Sequence, residues 1–407
     1  MNYEEAYQKL AAADQLHVLK YYEELSEDQQ RELLAQVEIT DFSALEHCKK
    51  SSDNERGVFE PLGALELSEI EEKKQYYTEI GVKAIQEGKI GAVLLAGGMG
   101  TRLGSDGPKG VYDIGLTRPV YIFERLIENM MDVVRQAGVY FHLFIMTSDK
   151  NDQVTRAFLK EKAYFGYPEE YVHFFLQKMA PASDYDGHVY LEEKYRISTS
   201  PNGNGGWFTS MQEAGLIEFA HEQGIQWMNI FAVDNVLQRI ADPVFAGATL
   251  DAVVSVGAKV VRKNAPREGV GVMCLEDGRP SIVEYYELTD EMVEARNEKG
   301  DPAYNFGVIL NYLFNVHSLE TLFKGKMPCH VVEKKIPHID ENGQHINPES
   351  PNGYKYEELV LDMIHQLDTC LPFEVVREKE FAPIKNKIGV DSVESARALC
   401  LKNGIEL

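Results

Sequence analysis

The feature that most constrains the fold of this chain is a glycine-rich loop directly after a short apolar run. The run Ala92 to Leu95 has the composition of a buried strand, and the sequence from Leu94 to Lys109 reads LLAGGMGTRLGSDGPK. Glycines let a backbone approach a ligand closely, and consecutive N–H groups can surround an anion. The loop therefore predicts a phosphate-holding turn at the carboxyl end of a strand.

Two common glycine loops do not match this one. The dinucleotide fingerprint GxGxxG needs a third glycine where this chain has Leu103. The phosphate loop GxxxxGK[ST] also fails, because Lys109 stands between Pro108 and Gly110. A glycine-rich turn without a ligand is the remaining structural alternative. The loop favours a nucleotide or phosphate site of another kind.

From Gly88 onward, strand-like apolar runs alternate with helical stretches. Ile90 to Leu95 and Trp227 to Val233 are predicted strands, and Val120 to Ala137 is a predicted helix. The pair Asp277-Gly278 predicts a hairpin inserted in the sheet. The alternation indicates an α/β fold with a doubly wound, mixed and mostly parallel sheet, which binds ligands at the carboxyl ends of its strands.

Three regions are predicted along the chain. Residues 1–85 show apolar positions at three- and four-residue spacing and no strand pattern, which indicates a helical N-terminal appendage. Residues 86–388 form the predicted catalytic core. Residues 389–407 form a short C-terminal helix.

Charge and cysteine usage limit the partners and the compartment. The formal net charge of −24 argues against nucleic acid or an anionic membrane as a partner. Five scattered cysteines without a CxxC pair argue against a disulfide framework and suit a reducing compartment. With no signal-peptide pattern and no apolar stretch of membrane-spanning length, the chain is expected to be soluble and cytoplasmic.

The longer run LLAGGMGTRLGSDGPKGVYDIG resembles the signature loop of the eukaryotic-type UDP-N-acetylglucosamine pyrophosphorylases, a branch of the UDP-sugar pyrophosphorylases. Later blocks resemble those of the family in the same order and extend the likeness over roughly residues 30–386; they are FIMTS, LEEKYRISTSPNGNGG, FAVDNVLQRIADPVF, GVGVMCLEDGRPSIVEYYEL, YNFGVILNYLF, HVVEKKIPHID and REKEFAPIKN. The resemblance implies a Rossmann-like nucleotidyltransferase with a GT-A-like core. Such an enzyme joins UTP to a sugar-1-phosphate, here N-acetylglucosamine-1-phosphate, and releases pyrophosphate.

The resemblance also implies the roles of individual residues. The nucleotide contacts are Ala96, Gly97, Gly98, Gln177 and Gly203. The catalytic cations on the phosphates are Arg102, Lys109 and Lys385. The sugar contacts are Asn204, Gly271, Glu284 and Asn305. Asp234, at the end of a predicted strand, is the implied ligand of Mg²⁺ or Mn²⁺, since hard cations prefer oxygen ligands.

Several alternatives stay open from the sequence. Met99 stands where the family often has glutamine, and the chain ends soon after the APIKN block, so a short bacterial-type member is expected. The sugar could also be glucose, or the enzyme could accept several UDP-sugars. A glycosyltransferase of related fold would also hold a metal through Asp234, but would not need the Arg-and-Lys loop. A catalytically idle nucleotide-sugar-binding protein is a further alternative, and the oligomeric state is not predicted.

Overall fold

A computed structural model of the chain describes residues 1–42, 45, 56–323, 327 and 329–407. The chain forms two compact units, each built from three segments. The smaller unit comprises Met1–Glu55, Lys178–Gly206 and Lys326–Val360. The larger unit comprises Arg56–Gln177, Trp207–Gly325 and Leu361–Leu407.

The secondary structure of the described residues alternates strands and helices. The strands in chain order are β1 (Phe59–Pro61), β2 (Ile90–Leu95), β3 (Leu143–Thr147), β4 (Val172–Leu176), β5 (Met179–Pro181), β6 (Leu191–Glu193), β7 (Arg196–Ile197), β8 (Thr199–Pro201), β9 (Trp227–Ala232), β10 (Val256–Arg262), β11 (Val272–Glu276), β12 (Arg279–Val283), β13 (Phe306–Asn315), β14 (His330–Lys334), β15 (His338–Ile339), β16 (His345–Ile346), β17 (Gly353–Glu357) and β18 (Cys370–Glu374). The α-helices are Tyr3–Ala12, Glu27–Ile39, Leu67–Gln86, Ile122–Ala137, Asp152–Glu161, Trp207–Glu213, Leu216–Glu222, Pro243–Asp251, Asp290–Glu294, Val316–Leu322, Val360–Gln366, Arg377–Glu380 and Val393–Lys402.

The larger unit is organised around one mixed sheet of ten strands, which confirms the predicted α/β class. Along one path the strand order is β1-β11-β13-β9-β2-β3-β4. The run β9-β2-β3-β4 is entirely parallel, so the carboxyl ends of these four strands meet at the same edge of the sheet. Strand β2 is buried along its whole length, as its continuous apolar sequence predicts.

The other half of the sheet is mostly antiparallel. Strand β13 pairs antiparallel with β9, β10 and β11, while β10 pairs parallel with β18. Strands β11 and β12 form the predicted hairpin. Its turn residues Asp277 and Gly278 both have positive φ, 50° and 78°, the backbone conformation for which an Asp-Gly pair is favoured.

The helix Leu67–Gln86 belongs to the larger unit, although the sequence predicted a boundary only after residue 85. It packs closely on the helix Pro243–Asp251 of the larger unit, because glycines on both helices let the backbones touch. A Cβ added to Gly81 would lie 1.9 Å from the carbonyl oxygen of Pro243. Strand β1 is a second correction, since it pairs with β11 in a region predicted to contain no strand.

The first two helices belong to the smaller unit, where they pack on short β-hairpins rather than forming a separate helical appendage. Strands β6 and β7 pair with each other, and β14 pairs with β17. Buried apolar residues of the helices and strands form one core, including Leu10, Leu33, Ile197 and Tyr356. The predicted region 1–85 is therefore divided between the two units.

The C-terminal helix begins at Val393, later than predicted, with Ser392 as its N-cap. Of the described cysteines, Cys274, Cys370 and Cys400 are free thiols, whereas Cys329 is disulfide-bonded, which the expectation of reduced cysteines did not anticipate. Among the helices of the described ranges, none combines the length and the apolar character that crossing a membrane requires.

Candidate functional site

The glycine loop leaves β2 with its carbonyl groups tied to the segment after β3. The Asn151 side chain donates from Nδ2 to the carbonyl oxygen of Ala96 at 2.9 Å and to that of Gly98 at 3.4 Å. The Ser148 hydroxyl donates to the carbonyl oxygen of Gly97 at 2.9 Å. These bonds to three consecutive carbonyl groups attach the start of the loop to the segment after β3.

The N–H groups of the loop are left available on the other side. Within residues 1–42, 45, 56–323, 327 and 329–407, the backbone N–H groups of Gly97, Gly98 and Met99 donate no backbone hydrogen bond. Ala96 differs, because its N–H donates to the carbonyl oxygen of Met146 at 2.8 Å. Gly97 and Met99 are half-buried and Gly98 is exposed, so a ligand can reach these donors, and consecutive N–H groups of this kind can surround an anion.

Gln177 lies directly beside this surface. It follows β4, and its backbone N–H donates to the carbonyl oxygen of Thr147 at 2.8 Å. A Cβ added to Gly97 would lie 2.6 Å from the Oε1 atom of Gln177. The structure thus brings together two residues that the resemblance assigns to the nucleotide, and it explains why glycine is required at position 97.

A lysine and an aspartate face each other where β2 and β9 end. The Nζ atom of Lys109 is 3.8 Å from Oδ2 of Asp234, and the two side chains are 18% and 22% exposed. The two ends of the glycine loop are joined by a backbone hydrogen bond, in which the Lys109 N–H donates to the carbonyl oxygen of Gly98 at 3.1 Å. At such a pair, the mostly shielded lysine can bind a phosphate while the carboxylate binds a divalent cation next to it.

The segment that carries Lys385 is attached to the turn that carries Asp234. The N–H of Ile384 donates to the carbonyl oxygen of Asp234 at 2.9 Å. The ammonium of Lys385 lies 3.1 Å from Oδ2 of Asp391. The resemblance did not indicate this aspartate, which lies close to Lys385 in the sequence and is bonded to it in the structure.

Arg102 lies in the short 3-10 helix Thr101–Leu103 of the loop and is exposed. Across the described part of the chain, no carboxylate forms an ion pair with it. Its guanidinium is therefore accessible to an anionic ligand, for which its planar donors are well suited.

Three residues assigned to the sugar lie at one end of the β11–β12 hairpin. Gly271 precedes β11 and Glu284 follows β12, and a Cβ added to Gly271 would lie 3.4 Å from Oε1 of Glu284. Asn305 is buried and precedes β13, whose Gly307 pairs with Val272. The hairpin register therefore places all three at the same edge.

Gly203 and Asn204 lie in the smaller unit. Gly203 has a φ of +86°, and a Cβ there would lie 2.2 Å from the carbonyl oxygen of Glu358. The Oδ1 atom of Asn204 accepts the N–H of Val360 at 3.0 Å. Both residues therefore have local structural roles, and their assignment to the ligand stays a prediction.

Sequence reasoning missed the residues that support these groups. Ser148 and Asn151 occur in the run SDKND directly after β3, and a polar cluster at a parallel strand's carboxyl end is a signal that could have found them. On the sugar side, the Glu287 carboxylate accepts two hydrogen bonds, one from the N–H of Glu284 at 2.8 Å and one from Nη1 of Arg56 at 2.9 Å. Arg56 is far away in the sequence, so no local pattern indicates this contact.

Glu276 is the most strongly perturbed carboxylate near this hairpin. Its burial disfavours the charged form, but hydrogen bonds from Arg56, from the N–H of Gly57 and from Ser281 outweigh this effect and lower its pKa to about 2. The Arg56–Glu276 ion pair, at 2.8 Å, therefore stays charged and joins the segment of Arg56 to the β11–β12 hairpin.

Open α/β sheets bind their ligands at the carboxyl ends of parallel strands, and here that edge carries a glycine loop with free N–H groups and a lysine–aspartate pair, which suits a nucleotide-binding enzyme. The family model described as UTP–glucose-1-phosphate uridylyltransferase matches residues 45–399. The chain belongs to this family of UDP-sugar pyrophosphorylases.

Individual relatives are similar over nearly the whole chain. It is 34% identical over 422 residues to the UDP-N-acetylglucosamine pyrophosphorylase of Saccharomyces cerevisiae, covering 96% of this chain and 88% of the relative. It is 34% identical over 403 residues to human UDP-N-acetylhexosamine pyrophosphorylase-like protein 1, covering 93% and 79%. The crystal structure of the Trypanosoma brucei UDP-N-acetylglucosamine pyrophosphorylase in complex with inhibitor superimposes with a TM-score of 0.84 at 28% identity, covering 97% and 83%.

Proposed function

We propose that this chain transfers the uridylyl group of UTP to N-acetylglucosamine-1-phosphate, with Asp234, Lys109, Arg102 and Lys385 acting on the phosphates. The names of the yeast and trypanosomal relatives support this sugar. The observation that carries the proposal is the Lys109–Asp234 pair, 3.8 Å apart beside the free N–H groups of the glycine loop.

The reaction is a phosphoryl-group substitution at the α-phosphorus of UTP. A phosphate oxygen of the sugar phosphate forms the new bond to this phosphorus, and the bond to the β-phosphate bridging oxygen breaks. Pyrophosphate leaves with the electron pair of that bond. The attacking oxygen is already ionised at neutral pH, so the protein's task is to position the reactants and to neutralise their charges.

The uracil side of the proposed complex uses the loop and Gln177. The free N–H groups of Gly97 and Gly98 donate to the nucleotide. The Gln177 amide can pair with both a carbonyl oxygen and an N–H group of the uracil edge. The N–H of Ala96 already donates to the carbonyl oxygen of Met146, so it does not donate to the nucleotide. Ala96 therefore contributes only to the shape of this surface.

The cations hold the two phosphate groups against their mutual repulsion. Lys109 contacts the α-phosphate, Arg102 the departing pyrophosphate and Lys385 the sugar phosphate. Pre-positioned charges of this kind contribute most in a site that excludes water, where each is worth several kcal/mol.

Asp234 would hold Mg²⁺ or Mn²⁺, which would polarise the phosphate oxygens when bound. No cluster of three or more His, Cys, Asp or Glu side chains suited to a metal occurs in the described part of the chain. A single carboxylate nevertheless fits Mg²⁺, which takes one or two carboxylates in nucleotide sites and completes its shell with phosphate oxygens and water.

The sugar side uses Glu284 and Asn305, with Gly271 leaving room for the ring. A carboxylate accepts hydrogen bonds from sugar hydroxyls, and an amide both donates and accepts. We also infer that the larger unit is a GT-A-like core and that the chain acts in the cytoplasm.

The test is a panel of sugar-1-phosphates, namely N-acetylglucosamine, N-acetylgalactosamine, glucose and galactose, each with UTP and Mg²⁺ and a pyrophosphate readout. We expect the highest kcat/KM with N-acetylglucosamine-1-phosphate. A preference for glucose-1-phosphate would contradict the sugar assignment. Tight binding of UDP-sugar without pyrophosphate release from any substrate would identify a binding protein instead.

A further inference from the structure

We infer that Asn235 is a positioning residue whose side-chain amide sets the spacing between Asp234 and Lys385. The inference rests on the proposed function, because it concerns how two of the proposed phosphate-site residues are held. Asn235, Glu380 and Lys259 form the supporting network, which is called the clasp below.

The Asn235 amide joins two segments that are distant in the sequence. It is 1% exposed, and its Nδ2 atom donates to the carbonyl oxygen of Glu380 at 2.8 Å. Its Oδ1 atom accepts the N–H of Ala382 at 2.9 Å. Two residues further along the same segment, the N–H of Ile384 donates to the carbonyl oxygen of Asp234 at 2.9 Å. Each bond connects the Asp234 turn to the segment that leads into Lys385.

Only an amide can make both side-chain bonds. An asparagine offers a donor and an acceptor on one rigid plane, whereas a carboxylate cannot donate and a single hydroxyl cannot span both positions. Removing the side chain takes these partners from the buried N–H of Ala382 and the part-buried carbonyl of Glu380, which disfavours the native spacing of the two segments.

A buried lysine anchors the far end of the clasp. The side chain of Lys259 on β10 is 0% exposed, and its Nζ atom lies 2.5 Å from Oε2 of Glu380 and 3.2 Å from Oδ2 of Asp242. Asp242 is in turn the N-cap of the helix Pro243–Asp251, where it accepts the N–H of Val244. Because the buried ammonium of Lys259 has two carboxylate partners, its orientation is restricted. It therefore holds the Glu380 side chain next to β10 of the central sheet.

The clasp controls the backbone position of Lys385 rather than its charge. The ammonium contacts Asp391 at 3.1 Å, and the side chain is 44% exposed, so its local surroundings alone leave it room to move. The hydrogen bonds of Asn235 instead hold the residues just before it. Displacing a reacting group by about 1 Å can lower a rate about 100-fold, so loss of the clasp should be visible in turnover.

The test is a double-mutant cycle of Asn235→Ala with Lys385→Ala, measured by pyrophosphate release at saturating UTP, N-acetylglucosamine-1-phosphate and Mg²⁺. We expect Asn235→Ala to lower kcat about 30-fold in the otherwise unchanged chain and less than about threefold in the Lys385→Ala background, because the lysine it positions is already absent. Calorimetric titration with Mg²⁺–UTP should show weaker binding, since Asp234 shifts as well.

The matched control is Asn352→Ala in the smaller unit. Asn352 makes a similar two-way contact with the backbone of one residue, since Oδ1 accepts the N–H of Ile336 at 2.7 Å and Nδ2 donates to the carbonyl oxygen of Ile336 at 3.1 Å. We expect a comparable fall in melting temperature and a kcat within about twofold of the unchanged chain, because this asparagine supports none of the proposed phosphate residues. If Asn235→Ala does not fold, the same cycle is run with Asn235→Ser.

An equal loss of kcat from the Asn235 substitution with and without Lys385, together with unchanged Mg²⁺–UTP affinity, would overturn the inference. A wild-type chain that binds Mg²⁺–UTP but releases no pyrophosphate would contradict the proposed function instead. In that case the calorimetric comparison of Asn235→Ala with Asn352→Ala still decides whether the clasp supports the nucleotide site.

Discussion

At the residue scale, Lys109 and Asp234 neutralise each other until a ligand introduces further charge. Their 3.8 Å separation is longer than a hydrogen bond, and both side chains are mostly shielded from solvent. A phosphate placed next to Lys109 could therefore accept hydrogen bonds from the ammonium, which makes none to Asp234. This arrangement makes the lysine more important for turnover than for folding.

Lys109→Ala is expected to lower kcat/KM about 10²- to 10³-fold, the range seen when one pre-positioned contact to a developing charge is removed. The melting temperature should change little, because one 3.8 Å ion pair contributes at most about 1 kcal/mol. Lys83→Ala, at a lysine that is 76% exposed on the helix Leu67–Gln86, is the control and should leave both quantities unchanged. Near-normal pyrophosphate release by a folded Lys109→Ala protein would contradict the phosphate role.

The adjacent glycines of the loop offer a comparison of two methyl groups. Gly97→Ala places its Cβ 2.6 Å from Oε1 of Gln177, so this side chain must move. Gly98→Ala meets nothing within 4 Å in the protein. We expect the first variant to lose about 1–2 kcal/mol of stability and the second almost none.

Both loop variants should raise the KM for UTP, the first through a displaced Gln177 and the second through a methyl group that projects into the ligand space. Urea denaturation and steady-state kinetics separate the two effects. A Gly98→Ala enzyme with unchanged UTP kinetics would show that the nucleotide does not approach the loop at this position.

At the element scale, local signals predicted the strands well and the breaks between helices less well. Strand β2 has the predicted bounds, and β9 begins as predicted at Trp227 and ends one residue earlier, at Ala232. The sequence from Gly206 to Glu222 on its own predicts one helix, but the structure has two, Trp207–Glu213 and Leu216–Glu222, because Gly215 adopts a φ of +71° between them. Glycine makes that conformation accessible, but packing decides whether a helical glycine uses it.

The contact between the helices Leu67–Gln86 and Pro243–Asp251 predicts a large effect of a single methyl group. Gly81→Ala is expected to destabilise the chain by about 2–3 kcal/mol, because the new Cβ would overlap the backbone of Pro243, which cannot move aside easily. Gly63→Ala is the control, since its Cβ meets nothing within 4 Å. The free energy of unfolding in urea is the measurement, and equal stability of the two variants would contradict the close helix contact.

At the scale of the whole molecule, a histidine pair between β3 and β4 links stability to pH. Nδ1 of His142 and Nε2 of His173 are 3.0 Å apart, so one ring donates and the other accepts. Burial, together with the neighbouring His142, lowers the pKa of His173 from 6.5 to about 4. The folded state therefore binds fewer protons than the unfolded state between these values.

Stability is accordingly expected to decrease as the pH falls from about 6.5 to about 4, because the unfolded chain takes up a proton that the folded chain resists. His173→Phe should reduce this dependence while keeping the ring contact with Phe144. His317→Phe, at a histidine that is 90% exposed, should leave the slope unchanged. Unfolding free energies at pH 7, 5.5 and 4.5 test this, and identical slopes for wild type and His173→Phe would contradict it.

The sequence alone determined the glycine loop, the strands around it and the family resemblance. These depend on local periodicity and on residues whose backbone preferences act over a few positions. It therefore indicated the α/β class and the strand-end positions of Gly97, Lys109 and Asp234. The roles of these residues in catalysis remain predictions.

Only the tertiary structure decided how residues 1–85 divide between two units and which side chains support the loop. The Asn235 bonds to the Glu380 segment, the Arg56–Glu287 pair and the Gly81 contact all join positions far apart in the chain. Such contacts depend on how whole elements pack, and no local pattern of residue types encodes them.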